Sequence, residues 1–290
     1  MNEGDSAPSK TKLNANCGQK KRFMNIKYVH GYDKRENIRL SDQASTLVEL
    51  LHSDTFFPAG SSVLEVGCGT GAQTITLAHK SPHAHITSID ISASSVAQAK
   101  QKIEEAGYSN VSFQQGDIFN LAFVPESFDH IFVCFVLEHL AQPLEALNSL
   151  KDFLKTNGTI TVIEGDHGST FFYPDNANAH RAIQCQVELQ RRAGGNANIG
   201  RELYPLLCAA NFRSIHVSPR MVCVDSSKPQ LVEGFIKNTF TAMIEGVREP
   251  SIEAGIIDQN TFDEGIKGLY RTTEKDGVFC YTFFKAIATK

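Results

Sequence analysis

The sequence predicts an α/β fold built on an open, doubly wound, mostly parallel sheet, and three observations carry that expectation. From residue 45 onward, short and almost wholly apolar runs alternate with helical patterns. Strands apolar on both faces belong in a sheet that helices cover on both sides. The first apolar run leads into closely spaced glycines and then a helix, the arrangement in which a ligand can approach bare backbone.

Each element follows in order. Residues 45–51 place apolar side chains at helical spacing, and Phe57-Pro58-Ala59-Gly60 turns the chain. Residues 62–66 form the first strand, 73–80 a helix and 86–89 the second strand. The Ala/Gln/Lys/Glu-rich stretch 94–106 is an exposed helix closed by Gly107. Strands follow at 111–114 and 130–135, then a helix at 144–154, the turn Asn157-Gly158 and a fifth strand at 159–164.

The pattern then changes. Residues 168–210 hold two aromatic-rich or helical stretches around Gly194-Gly195-Asn196. Residues 215–224 are strand-like, 229–245 and 251–273 resemble a helical insertion, and 278–288 return as a long apolar strand after Asp276-Gly277. We expect a disordered tail at 1–22 and one domain over 23–290. Its core is about 45–167, 212–224 and 277–290, and 23–44, 168–211 and 225–276 form a lid.

Composition narrows the function. A net charge of −4 gives no electrostatic support to a nucleic-acid partner. The seven cysteines are scattered, with no C-x-x-C spacing, which argues against zinc or any other metal, against a disulfide framework, and for a reducing, cytoplasmic setting. No apolar run approaches the roughly 18–20 residues of a membrane span. The basic tail lacks the apolar centre of a signal peptide.

The chemistry begins at Val63-Leu64-Glu65-Val66-Gly67-Cys68-Gly69-Thr70-Gly71-Ala72. Gly67, Gly69 and Ala72 fit the dinucleotide fingerprint G-x-G-x-x-[GA], while Glu65, Gly67, Gly69 and Gly71 fit E-x-G-x-G-x-G. A tight strand–helix turn with no ligand reads the same way. Asp90 ends the second strand, where an acid can accept both ribose hydroxyls of an adenosine and repel a 2′-phosphate. Its bland alternative is a helix cap four residues before Ser94.

With these residues in place, the chain resembles class I S-adenosylmethionine-dependent methyltransferases, especially the small-molecule group with the ubiquinone- and menaquinone-type enzymes. The resemblance covers roughly residues 60–165 and rests on four segments. They are the glycine loop, Asp90, Gly116-Asp117-Ile118, and Ser127-Phe128-Asp129 leading to Phe135-Val136-Leu137-Glu138-His139-Leu140. It implies a Rossmann-like, seven-stranded sheet whose last strand runs antiparallel. It also implies that Glu65, Gly67, Gly69 and Gly71 serve S-adenosylmethionine, that Asp90 holds its ribose, that Ile91 and Ile118 sandwich the adenine, and that Asp117 takes the exocyclic amine. A carbonyl near Cys134 would hold the methionine amino group.

The partner this implies is a small-molecule methyl acceptor. A hydroxyl or ammonium acceptor needs a base, and ligands of open parallel sheets sit beyond the carboxyl ends of the strands. His167, after the fifth strand, and His139, after the fourth, are the candidates whose ordinary chemistry suits that work near neutral pH. Asp166 and Glu164 stand beside His167 and could hold its ring; His139 could equally serve the cofactor. Tyr28 and Arg39 of the amino-terminal stretch are assigned to the cofactor, Arg39 to the methionine carboxylate, and His30 and Tyr32 are nearby. Tyr281-x-x-x-Lys285 matches a Tyr/Lys pair used by short-chain reductases, but its surroundings favour a strand, which makes the match a coincidence. An NAD-dependent oxidoreductase and a non-methylating S-adenosylmethionine binder are the alternatives.

Overall fold

The computed structural model describes residue 1, residues 43–44 and residues 46–290. The expectations placed on the tail, on Tyr28, His30, Tyr32 and Arg39, and on most of the first lid stretch lie outside these residues.

Helix α1 (46–52) precedes β1 (Ser62–Val66), α2 (Thr74–Lys80), β2 (His85–Asp90), α3 (Ala93–Glu105), β3 (Val111–Gln115) and β4 (Phe128–Cys134). A 3₁₀ turn at Leu137–His139 leads to α4 (Pro143–Phe153) and β5 (Leu154–Tyr173). Then come α5 (Ala177–Arg192), α6 (Leu203–Ala209) and β6 (Arg213–Asp225). Helices α7 (Pro229–Leu231) and α8 (Ala242–Glu245) flank a π-helical stretch at Val232–Thr241. Helices α9 (Arg248–Glu253) and α10 (Gln259–Arg271) precede β7 (Val278–Thr289).

The seven strands lie in the order β3-β2-β1-β4-β5-β7-β6. Strands β1 to β5 run parallel, and β7 is antiparallel to both β5 and β6. Chain order reverses between β1 and β4, which opens a crevice at their carboxyl ends, the usual ligand position in such sheets.

Side chains alternate between two cores, one per face. Val63, Phe132, Cys134, Ile163, Phe279, Tyr281 and Phe283 enter one with α1, α5 and the π-helical stretch. Leu64, Val66, Ile131, Val133, Val162 and Ala286 enter the other with α4 and α6. Each fully buried Leu, Ile or Phe contributes about 1.5–3 kcal/mol relative to exposure, so the two-sided burial is what selects strands here.

Two expectations need correction, and a third gains detail. The fifth strand does not stop at 164. After a bulge between Asp166 and Phe171 it pairs Phe171, Phe172 and Tyr173 with Cys280, Phe279 and Val278, because β7 is long enough to supply partners. The first six residues of the expected 168–211 insertion therefore belong to the sheet. The stretch 251–273 is helical as expected and is divided between two helices, since Gly255 takes a φ of +65° and ends α9. Finally, Cys223 and Cys280 stand opposite each other on β6 and β7 with Cα atoms 4.2 Å apart and their sulfurs joined. Spacing along the chain could not show that pairing.

A polar chain runs from β7 through the end of α1 to the residue before α2. Lys285 Nζ donates to Thr55 Oγ1 at 2.7 Å and Asp54 Oδ1 at 2.7 Å. Thr55 lies 3.3 Å from His52 Nδ1, and His52 Nε2 lies 2.8 Å from Gln73 Oε1, just before α2. Burial pushes the His52 imidazole down to about 4, so the ring is neutral at pH 7 and Nε2 donates to Gln73.

Candidate active site

The three glycines of the loop have different reasons to be glycine. Their φ values are +72° at Gly67, +51° at Gly69 and +79° at Gly71. A Cβ on Gly67 would stand 2.4 Å from Val136 Cγ2, and one on Gly71 would stand 3.1 Å from the Ala99 backbone. Around Gly69 a Cβ would meet nothing within 4 Å. Gly67 and Gly71 thus serve close packing, whereas Gly69 leaves bare backbone beside open space.

Asp90 stands next to that space. Gly69 N–H donates to Asp90 Oδ2 at 2.9 Å and Ser92 N–H to Oδ1 at 2.8 Å. Each carboxylate oxygen has two lone pairs, so each can accept one bond more. Burial pushes this carboxyl above its ordinary value, and the two backbone bonds oppose that push. The cap of α3 is Ser92, which accepts from Ser95 N–H, so Asp90 is not serving as the cap.

The rest of the cofactor set divides. Ile91 is 53% exposed directly after Asp90, an apolar surface of the kind a flat ring covers. Gly116 N–H donates to the Asp90 carbonyl, bringing Asp117 and Ile118 to the same edge. Asp117 Oδ1 accepts from Phe119 N–H at 3.0 Å, and Ile118 is mostly buried in the core with Leu64 and Val66. Glu65 lies beneath the loop and braces it. Its carboxyl accepts from Thr74 Oγ1 at 2.7 Å and Ser88 Oγ at 2.6 Å, and burial pushes it up to about 7. Cys134 is buried at the end of β4, and desolvation raises its thiol well above the ordinary range, so it is no nucleophile.

Past Cys134 the backbone turns sharply. Phe135 has a φ of +58°, a left-handed conformation that an aromatic residue holds only where its surroundings impose it. Glu164, from the neighbouring strand, supplies part of that restraint. Its Oε1 accepts from Val136 N–H at 3.0 Å and Leu137 N–H at 2.7 Å. Burial and then the charge of Glu138 push the Glu164 carboxyl well above the carboxylate range. Val136 in turn packs on Gly67, so β5 and the glycine loop are joined through one turn.

His139 lies in the 3₁₀ turn. Its Nε2 is 3.6 Å from Glu138 Oε1, and its Nδ1 is 3.5 Å from Gln190 Nε2 of α5. Gln190 also donates to the Glu138 carbonyl at 2.9 Å, and Asn196 N–H donates to the same carbonyl at 2.7 Å.

His167 sits in the bulge of β5, where the extra residues re-aim a side chain. Its Nδ1 is 3.0 Å from the Ala197 carbonyl oxygen. A carbonyl can only accept, so Nδ1 carries the proton and Nε2 is the basic nitrogen. The acids expected to hold this ring do other work. Asp166 is bound by both arms of Arg201, at 2.8 and 2.7 Å, and Glu164 holds the β4 turn. The phenol oxygen of Tyr281, which sequence reasoning set aside, lies 3.1 Å from His167 Nδ1. The one available signal was the alternation Phe279, Tyr281, Phe283, which puts Tyr281 on the same inward face as two core aromatics.

Among the described residues, no group of three or more His, Cys, Asp or Glu is placed to hold a metal ion, and no helix is long and apolar enough to cross a membrane.

Comparison with known proteins bears on the same region. A family model described as a methyltransferase domain matches residues 58–210, which is more than half of the chain. A demethylmenaquinone methyltransferase of Staphylococcus haemolyticus is 31% identical over 134 residues, covering 46% of this chain and 55% of that protein. The chain spans about half or less of the length of the curated relatives it matches. Among solved structures, the 4+2 cyclase SpnF has a TM-score of 0.53 at 19% identity, over 86% of this chain and 81% of the cyclase. The Haemonchus contortus phosphoethanolamine N-methyltransferase 2, solved with phosphomonomethylethanolamine and S-adenosylhomocysteine, has a TM-score of 0.53 at 15% identity, over 86% of this chain and 52% of that one. At these identities the structural likeness is one of fold.

Proposed function

We propose, from the premise that the chain belongs to the methyltransferase-domain family matched over residues 58–210, that it transfers a methyl group from S-adenosylmethionine to a small-molecule acceptor. One observation carries the reading: the bare backbone at Gly69 lies beside a carboxylate, Asp90, that keeps one accepting position on each oxygen. That cradle fits the ribose diol of an adenosyl group. S-adenosylhomocysteine in the Haemonchus structure and the methyltransferase relative support the choice of cofactor.

The cofactor supplies a methyl group already activated on a sulfonium, so the chain's own residues have limited work. Asp90 binds the ribose, the Gly67–Gly71 backbone leaves room for the methionine portion, and Ile91 offers a face to the adenine. A backbone carbonyl near Cys134, just before the turn at Phe135, would hold the methionine amino group. His167 Nε2 accepts the proton of an ionisable acceptor. The residues after β5, with 174–211 and 225–276 acting as a lid, exclude water and hold the nucleophile in line, a proximity effect that supplies up to ~7–11 kcal/mol.

The net charge of −4 supports the absence of a nucleic-acid partner; the free thiols of Cys68, Cys134, Cys185 and Cys208 support a cytoplasmic setting, and the joined sulfurs of Cys223 and Cys280 count against it. Titration calorimetry tests the cofactor. S-adenosylhomocysteine is expected to bind at one per chain and NADH not at all, and the reverse result defeats the reading in favour of an oxidoreductase.

A further inference from the structure

Resting on the reading of His167 as the base, we propose that Tyr281 is its positioning residue, a side chain that holds the imidazole with Nδ1 protonated and Nε2 as the basic nitrogen. Four observations converge on it. The phenol oxygen is 3.1 Å from His167 Nδ1, and the two rings meet edge to face with centroids 5.6 Å apart and planes at 83°. The hydroxyl reaches that point because β5 has no side chain there: a Cβ on Gly165 would stand 2.4 Å from it. Residue 165 faces Phe283 and residue 166 faces Thr282 in the β5–β7 register, which brings Tyr281 level with the bulge. The phenol also engages the Asp166 backbone N–H, and burial keeps it protonated, so it stays a neutral hydroxyl.

The arrangement gives Nδ1 two acceptors, the Ala197 carbonyl and the Tyr281 oxygen, on different strands of chain. One is backbone and the other is a side chain, so a substitution can act on the ring through Tyr281. In the transfer, the acceptor's lone pair forms the new bond to the methyl carbon. The carbon–sulfur bond breaks with its electron pair moving to sulfur, and the acceptor proton goes to Nε2. The charge that appears on the ring then strengthens both bonds at Nδ1, which is how an outer partner supports a base without touching substrate.

Nitrogen-15 histidine spectra of the full chain read this without any acceptor. The expected wild-type result is a single tautomer for His167, with Nδ1 protonated and slow to exchange with water. In Tyr281→Phe that exchange should speed up about tenfold, one hydrogen bond's worth. Gly165→Ala, which displaces the hydroxyl without removing it, should do the same. S-adenosylhomocysteine affinity should stay within about twofold in both, while methyl transfer, measured once an acceptor is known, falls about 10–100-fold. A wild-type ring protonated on Nε2, or an Nδ1 proton indifferent to Tyr281→Phe, overturns the proposal. Loss of S-adenosylhomocysteine binding in the wild type would instead defeat the methyltransferase reading, so the two failures are separate.

Discussion

The two halves of the sheet build their sites in different ways. On the β1–β3 side the groups that matter are neighbours in sequence, and their geometry is mostly backbone: three left-handed glycines and two N–H groups closing on Asp90. On the β5–β7 side the groups meet from afar, His167 touching residues 30 and 114 positions away. A site made of local backbone is specified by residue type, whereas a site made of distant side chains is specified by register. On the proposed function the first would hold the cofactor, common to many proteins, and the second could change its acceptor without disturbing the first.

The sharpest test of that separation is His167→Ala. Turnover should fall by roughly 10²–10⁴ while S-adenosylhomocysteine affinity barely moves. Equal losses in both would show that the halves are one site. Next in size, Asp90→Ala should weaken cofactor binding by about 2–4 kcal/mol in calorimetry. It also strands the Gly69 and Ser92 N–H groups, so the melting temperature should drop with it, and Asp90→Asn should lie between.

The polar chain through α1 links the halves and brings a pH dependence. The His52 value is depressed in the folded state, so its contribution is complete above the ordinary imidazole range and is lost as pH falls from about 6.5 toward 4. The full effect is about 3 kcal/mol by linkage, discounted for relaxation around the charged ring. Acid melting curves of His52→Gln should be flatter across that window; an unchanged slope would remove His52 from the account. The smallest effect should come from Glu164→Leu, which leaves two backbone N–H groups after Phe135 without their acceptor and costs about 1–3 kcal/mol of unfolding free energy. Glu164→Gln keeps a carbonyl oxygen there and should recover most of it.

The sequence made the first half legible for the reason that separates the halves. Glycine spacing, an acid at a strand end and alternating apolar runs are local signals, and they place β1–β5 and Asp90 without knowledge of the fold. Glu65 shows the limit of such signals: its type and position match the motif, yet burial among Thr74 and Ser88 makes it a brace under the loop. The partners of His167 were beyond local reading, because nothing near residue 167 announces Ala197 or Tyr281. Asp166 was the natural guess by adjacency, but successive residues of a strand point to opposite faces, and Arg201 claims it. Likewise the extension of β5 to Tyr173 depends on a strand more than a hundred residues later.

Strand β7 follows β5 and β6 in chain order but lies between them, and among the described residues β6 has no other neighbour in the sheet. During synthesis on the ribosome, residues 213–225 therefore emerge well before the strand that satisfies their ladder among the described residues. For that interval two open edges coexist, on β5 and on β6, each able to recruit a foreign strand. The helices encoded between β6 and β7 lengthen the wait. Yield on expression should thus be governed by how fast residues 278–289 arrive, and nascent chains halted before that point are the ones that a chaperone would need to shield.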